Sequence, residues 1–191
     1  MINSPYRLNE QPEIAQGHLL VSTPVNNGAD RSKLLILITR HNEITGTTGL
    51  ILNKIIDTDL ILSDVNVKHK SFDFYYGGSS DTDNVTFMVS FPKLRTGLRD
   101  SVYWINDFHD LIILLNMINT TSVCIQAFRG CVKWEPGLLS KELAEKQWWT
   151  TNHFNLDDLL MKRKNRWAYY AKQSGGYFSP LVDAEIPIVY N

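Results

Sequence analysis

Apolar positions in this chain fall into short blocks separated by polar, glycine- or proline-bearing stretches, and the length of each block distinguishes strand from helix. Residues 18–23 and 33–41 read as strands, Leu-Leu-Val-Ser-Thr and Lys-Leu-Leu-Ile-Leu-Ile-Thr-Arg-His, both rich in apolar or β-branched residues. The unbroken run Leu34–Ile38 predicts a strand covered on both faces. After the polar loop Asn42–Thr48, the run Gly49-Leu50-Ile51-Leu52-Asn53 returns antiparallel, making a central hairpin. Further short strands are predicted at Phe74–Tyr76, Val85–Ser90 and Ser122–Phe128. Helices fall between them. Asp107–Ile118 opens with acids suited to a positive helix end and continues as a broad apolar surface, which predicts a mostly buried helix. Leu138–Trp149 begins after the break at Pro136-Gly137 and brings Leu139, Leu143 and Trp148 near one face. A last helix over about Leu156–Lys172 has Asn155 as cap, Asp157 and Asp158 in its first turn and Gly175-Gly176 beyond its end. Strands and helices mix without a strict βαβ rhythm.

A length of 191 residues suits one domain with a substantial core. Residues 1–16 read as an N-terminal extension and 179–191 as an extended tail. With 43% hydrophobic and 20% charged residues the composition is that of a globular protein. No stretch approaches the roughly 18 uninterrupted apolar residues of a spanning helix, which argues against a membrane protein. The first segment, with Glu10 and Glu13, lacks the pattern of a secretory signal, so the expected location is the cytoplasm. A net charge of −1 supplies no global pull toward nucleic acid. Cys124 and Cys131 have no second pair to complete a tetrahedral metal site and read as plain thiols.

The five histidines, at 18, 41, 69, 109 and 153, show no metal-binding spacing, so neither metal nor cofactor is expected. Ser22, His41 and Glu43 can be drawn as a triad, but no Gly-x-Ser-x-Gly elbow presents the serine. The Gly46–Gly49 loop and Gly77-Gly78 match neither phosphate-loop nor dinucleotide patterns and read first as turn formers. Lys162-Arg163-Lys164-Asn165-Arg166, followed by Trp167, is the one dense basic cluster. It reads first as a solvated helix face and otherwise as a nucleic-acid surface. Trp148 and Trp149 are candidates for a core anchor or an exposed aromatic platform.

Gly17-His18-Leu19-Leu20-Val21-Ser22-Thr23-Pro24, Arg31-Ser32, His41 followed by Gly46-Thr47-Thr48-Gly49-Leu50-Ile51-Leu52-Asn53-Lys54, Gly77-Gly78 and Trp134-Glu135-Pro136-Gly137 together resemble the YqgE/AlgH family of small bacterial proteins. The resemblance runs from about Gly17 to about Tyr170. It implies an α/β fold of α+β type, with a bifurcated mixed sheet, a small barrel-like part and flanking helices. This chain departs from the family pattern at Ile55, where a proline commonly stands, at Leu138 and Ser140, and at Gly130–Trp134, where Lys133 adds a long charged side chain. The resemblance also carries the label of transcriptional regulator, although no helix-turn-helix, zinc finger or basic arm is visible. The expectation is a non-enzymatic interaction protein with a protein partner, its candidate interface Trp134, Trp148 and Trp149. Two alternatives stand beside it. One is a small anionic-ligand-binding or hydrolytic pocket near the His41–Gly49 loop, with His41, Asn42, Gly46, Gly49, Asn53, Gly77 and Gly78 as candidate residues. The other is direct DNA binding through Lys162, Arg163, Lys164 and Arg166.

Overall fold

The predicted hairpin is the spine of the molecule. A computed structural model describes residues 14–24, 31–56, 73–90, 102–117, 124–152 and 166–174. Strand β1 (Leu19–Ser22) pairs antiparallel with β2 (Leu35–Asn42), and β2 with β3 (Gly46–Ile51). The connecting loop is shorter than its polar sequence suggests, because Gly46, Thr47 and Thr48 pair with Asn42, His41 and Arg40. Only residues 43–45 turn, held by Asn42 Oδ1, which accepts from the Ile44 and Thr45 amides at 2.8 and 2.9 Å.

The remaining elements are β4 (Asp73–Tyr76), β5 (Ser80–Ser90), β6 (Val102–Ile105), α1 (Phe108–Met117), β7 (Cys124–Trp134), α2 (Leu138–Ala144), β8 (Trp148–Thr151) and α3 (Arg166–Ser174). Strand β7 is where the sheet divides. One edge pairs antiparallel with β5. The other edge is shared: its first part pairs parallel with β4 (Asp73 opposite Gln126 to Tyr76 opposite Arg129), and its last residues pair antiparallel with β3 (Gly49 opposite Val132 to Thr47 opposite Trp134). The sheet runs β6-β5-β7-β3-β2-β1-β8 with β4 off this path. The bifurcated mixed sheet and the α+β class are therefore present. The barrel-like part is not: among the described residues the path ends in β6 and β8 without closing.

Alternation along the hairpin explains the apolar run at 34–38. Leu19, Val21, Leu35 and Leu37 face one side and pack with Tyr75, Phe128 and, from α3, Trp167 and Tyr170. Leu20, Leu34, Ile36 and Ile38 face the other and pack with Trp134, Trp148 and, from α2, Leu139. Each such buried side chain contributes about 1.5–3 kcal/mol of transfer free energy, so both helices are held by burial. A third cluster joins Phe74, Phe87, Val89, Ile125 and Ala127 to Leu111 of α1.

Two helix expectations change. The pattern over Leu138–Trp149 splits, because Lys146 takes φ +57 and the Gln147 amide folds back to the Glu142 carbonyl at 2.9 Å, ending the helix. Trp148 and Trp149 then enter β8, which pairs antiparallel with β1. The helix at Asp107–Ile118 is less buried than its apolar content suggests: Leu111 is enclosed, whereas Ile113 and Met117 are 45% and 79% exposed. Among the described residues no helix is long and apolar enough to cross a membrane. Most of the last predicted helix, 156–165, lies outside the described residues.

Candidate functional site

The ladder loses register at two places, and the same cleft lies between them. On the hairpin, Ile38 faces Gly49 and Arg40 faces Thr48, leaving Thr39 as the extra residue. Across β5 and β7, Ser80 faces Cys131 and Val85 faces Arg129, so residues 81–84 stand against Gly130 alone. Gly130 allows this with φ +71, where a Cβ would press to 2.8 Å from the Ser80 carbonyl oxygen. Bulges bend a strand and re-aim its side chains. Here they frame a cleft of about 560 Å³. One wall carries Thr39, Arg40 and Thr48, and the other Asp81, Asn84 and Thr86. Cys131 and Lys133 of β7 lie between them, and Trp104 and Asn106 close the β6 end.

The charges in this cleft are coupled. Asp81 adopts φ +51, and its Oδ2 lies 2.6 Å from Lys133 Nζ, while Cys131 Sγ donates to the same oxygen at 3.7 Å. The hydrogen bond from Lys133 holds the Asp81 carboxyl below the ordinary range, and the reciprocal bond raises Lys133. Burial, followed by the negative charge of Asp81, pushes the Cys131 thiol up. Arg40 is exposed, and among the described residues it pairs with no carboxylate, yet its charge is felt at Cys131 and Lys133. The cleft thus offers two cations, one internal carboxylate and a rim of hydroxyl and amide groups, a set suited to holding an anion. Among the described residues no three His, Cys, Asp or Glu side chains converge as a metal site would require.

On the α2 side of the hairpin lies a buried polar knot. Glu142, 5% exposed, accepts from Trp134 Nε1 and Trp148 Nε1 at 2.8 Å each through Oε2, and from Arg31 Nη1 at 2.8 Å through Oε1. The indoles meet edge to face with centroids 6.3 Å apart. Burial alone would raise the Glu142 pKa, but the bonds from Trp148, Arg31 and Trp134 together bring it below the ordinary value. Trp134 and Trp148, expected as interface candidates, are therefore internal anchors. Trp149 is half-buried and packs against the cluster under α3.

The residues proposed around the His41–Gly49 loop serve the fold. His41 Nδ1 is 2.8 Å from Thr47 Oγ1. Asn53 donates to the Lys33 carbonyl at 2.6 Å and accepts from the Leu35 amide at 2.9 Å, clamping the open end of the hairpin. Gly46, with φ +88, lies against the Trp134 carbonyl; Gly49 sits over Ile36, and Gly77 and Gly78 lie against the backbone of Gly130 and Cys131. None of these residues lines the cleft, although their neighbours Arg40 and Thr48 do. Ser22 is fully buried, its hydroxyl accepting from the Leu34 amide at 2.8 Å and from Trp167 Nε1 at 3.1 Å, so no triad with His41 and Glu43 assembles.

Of the basic cluster, Lys162, Arg163 and Lys164 lie outside the described residues. Arg166 corrects the surface-patch reading. It is 7% exposed, donates to the Leu52 carbonyl at 3.0 Å and lies over the Tyr75 ring, which fixes α3 to the body. Sequence reasoning missed Arg40 and Asp81, isolated charges without a motif, and registered Lys133 only as a departure from a family pattern.

The AlgH-like family model matches residues 19–179. A UPF0301 protein from Cytophaga hutchinsonii is 25% identical over 88% of this chain and 94% of its own length. One from Chlorobium limicola is 24% identical over 94% of this chain and 98% of its own length. Among solved structures, the crystal structure of protein DIP2367 from Corynebacterium diphtheriae superposes with a TM-score of 0.66 at 21% identity, covering 86% of this chain and 89% of that one. The solution structure of the AlgH protein from Pseudomonas aeruginosa superposes with a TM-score of 0.57 at 22% identity, covering 88% and 93%.

Proposed function

The chain belongs to the AlgH-like family, and we propose that it is a non-enzymatic cytoplasmic binding protein whose cleft between the two bulges takes a small anionic ligand. The observation that carries this reading is the convergence of Arg40 and Lys133, from different strands, on one polar cleft of about 560 Å³, within the range of small-molecule sites. Holding fits the site better than chemistry does. Burial and Asp81 keep the Cys131 thiol protonated, which makes it a poor nucleophile. Cys124 and Cys131 are both free thiols, which suits a reducing compartment. The test is a thermal-shift and NMR titration against a panel of small carboxylates and phosphates. A ligand that raises Tm and moves the amides around Arg40 and Lys133 supports the reading, and loss of that effect in Arg40→Gln completes it. A panel that leaves these amides unmoved counts against it.

A protein partner is the second element of the proposal. Tyr103 and Trp104 are 49% and 40% exposed on β6, the last strand of the sheet path. Exposed aromatic side chains on an edge strand suit a protein surface. Trp104 also lines the cleft, so ligand occupancy and partner contact share a residue. A regulatory role would then pass through protein contact and not DNA. Capture of a partner by wild type and its loss in Tyr103→Ser, with the cleft titration unchanged, is the expected outcome.

A further inference from the structure

We propose that Asp81 is a built-in stand-in for the ligand's anionic group, and that the cleft takes a doubly charged oxyanion of the phosphomonoester class, which displaces Asp81 from Lys133 and gains Arg40 as well. The proposal rests on the reading of the cleft as a ligand site.

The geometry points this way in three respects. The carboxylate of Asp81 already occupies the position an anion would take, 2.6 Å from Lys133 Nζ and within reach of the Cys131 thiol. Its hold is weak, because the side chains of Lys133 and Asp81 are 47% and 43% exposed, and exposed ion pairs are screened and contribute little. An incoming anion therefore loses little by breaking that pair.

The carrier of Asp81 is suited to exchange. Residues 81–84 are exposed and bulge from the ladder as a unit, tied back at Thr82, whose carbonyl accepts from Arg129 Nε at 2.9 Å. Asp81 sits one residue before that tie, at φ +51, a left-handed conformation that aspartate adopts more readily than most residues. A small backbone rotation there moves the carboxylate away from Lys133 without disturbing the paired strand.

Charge selects the ligand class. A carboxylate ligand would only exchange like for like with Asp81 at Lys133. A phosphomonoester dianion meets Lys133 and Arg40 together, whose charges act on the same centre. Charge-assisted bonds to an arginine fork favour such an oxyanion. The hydroxyls of Thr48 and Thr86 and the Asn84 amide, all in the cleft lining, are of the kind that complete its remaining oxygens or an attached alcohol.

The experiment is an NMR titration of the full chain at low ionic strength with phenyl phosphate, inorganic phosphate and acetate. It compares wild type with Asp81→Asn, Lys133→Gln and Arg40→Gln. Asparagine tolerates the left-handed backbone, so Asp81→Asn keeps the bulge. Expected results are phenyl phosphate binding about fivefold tighter in Asp81→Asn and roughly tenfold weaker in Arg40→Gln. Acetate binding responds less to Arg40→Gln than phenyl phosphate binding does. Inorganic phosphate matching phenyl phosphate supports recognition through the oxyanion itself. Cleft binding that is unchanged or weaker in Asp81→Asn overturns the stand-in role and leaves the cleft reading intact. Amides of the cleft that no anion moves, in wild type or Asp81→Asn, overturn both. Lys133→Gln guards against misfolding of the Asp81 variant. Removing the cation that Asp81 guards must weaken phenyl phosphate, and an unchanged affinity contradicts the proposal by itself.

Discussion

Glu142 is the residue on which the hairpin's α2 face depends. Its carboxylate ends three hydrogen bonds, two from the buried indoles of Trp134 and Trp148 on the flanking strands and one from Arg31, distant in sequence. Glu142→Gln removes the charge that Arg31 meets and replaces one acceptor oxygen by a donor, so a loss on the order of 2 kcal/mol is expected in urea unfolding at neutral pH. Folded Glu142 binds a proton less readily than an unfolded glutamate. Its contribution is therefore complete above the ordinary value of 4.5 and is lost as pH falls through the lower folded value. The gap between wild type and Glu142→Gln should narrow over that acid range, and a gap independent of pH would contradict the carboxylate's role. At Cys131 the opposite sign applies. Asp81 helps hold the thiol up, so Asp81→Asn should lower its pKa and speed alkylation by iodoacetamide several-fold at fixed mildly alkaline pH. An unchanged rate would mean that burial alone sets the thiol.

Among elements, β7 carries the most. It joins β5, β4 and β3, and the change of partner along its second edge divides the sheet. Gly130 permits this by letting four residues of β5 pass one of β7. Gly130→Ala would place a Cβ against the Gly78 and Ser80 carbonyls in a left-handed backbone, and a destabilisation of about 2–3 kcal/mol is expected by denaturant titration. Those amides of residues 81–84 that survive should shift in NMR spectra. The hairpin was legible in sequence because its apolar run is long and glycines mark its turn. Other elements were not. The polar half of β5, Ser80–Asn84, has no strand signature: only Ser80 is paired, with Cys131, and residues 81–84 form the bulge. β8 was read as the end of a helix, since Leu139 and Leu143 satisfy helical spacing and no glycine or proline intervenes before Trp148. What breaks that helix is the left-handed backbone of Lys146, a residue with no turn preference. β6 contains Val-Tyr-Trp-Ile, which is strand-like but too short to stand out from its surroundings.

For the whole molecule, one sheet is covered by helices on both faces at the hairpin end and opens into a polar cleft where its two bulges meet. The glycines and tryptophans that carry the family resemblance were readable because they carry that architecture: they let backbones approach and anchor α2. The site was not readable. Arg40, Asp81 and Lys133 are single charges spread over three strands, and only the order β5-β7-β3-β2 with its two register breaks brings them together. Local sequence contains the bulge residues but not their alignment across the sheet. Whether this junction holds a ligand is tested most directly by a two-dimensional NMR titration of the wild-type chain with phenyl phosphate, assigned at Arg40, Thr48, Asp81, Cys131 and Lys133. Saturable shifts concentrated at these five residues, weakening as salt is raised, are the predicted result. Shifts scattered over surface lysines, or none at these five at any concentration reached, would contradict it.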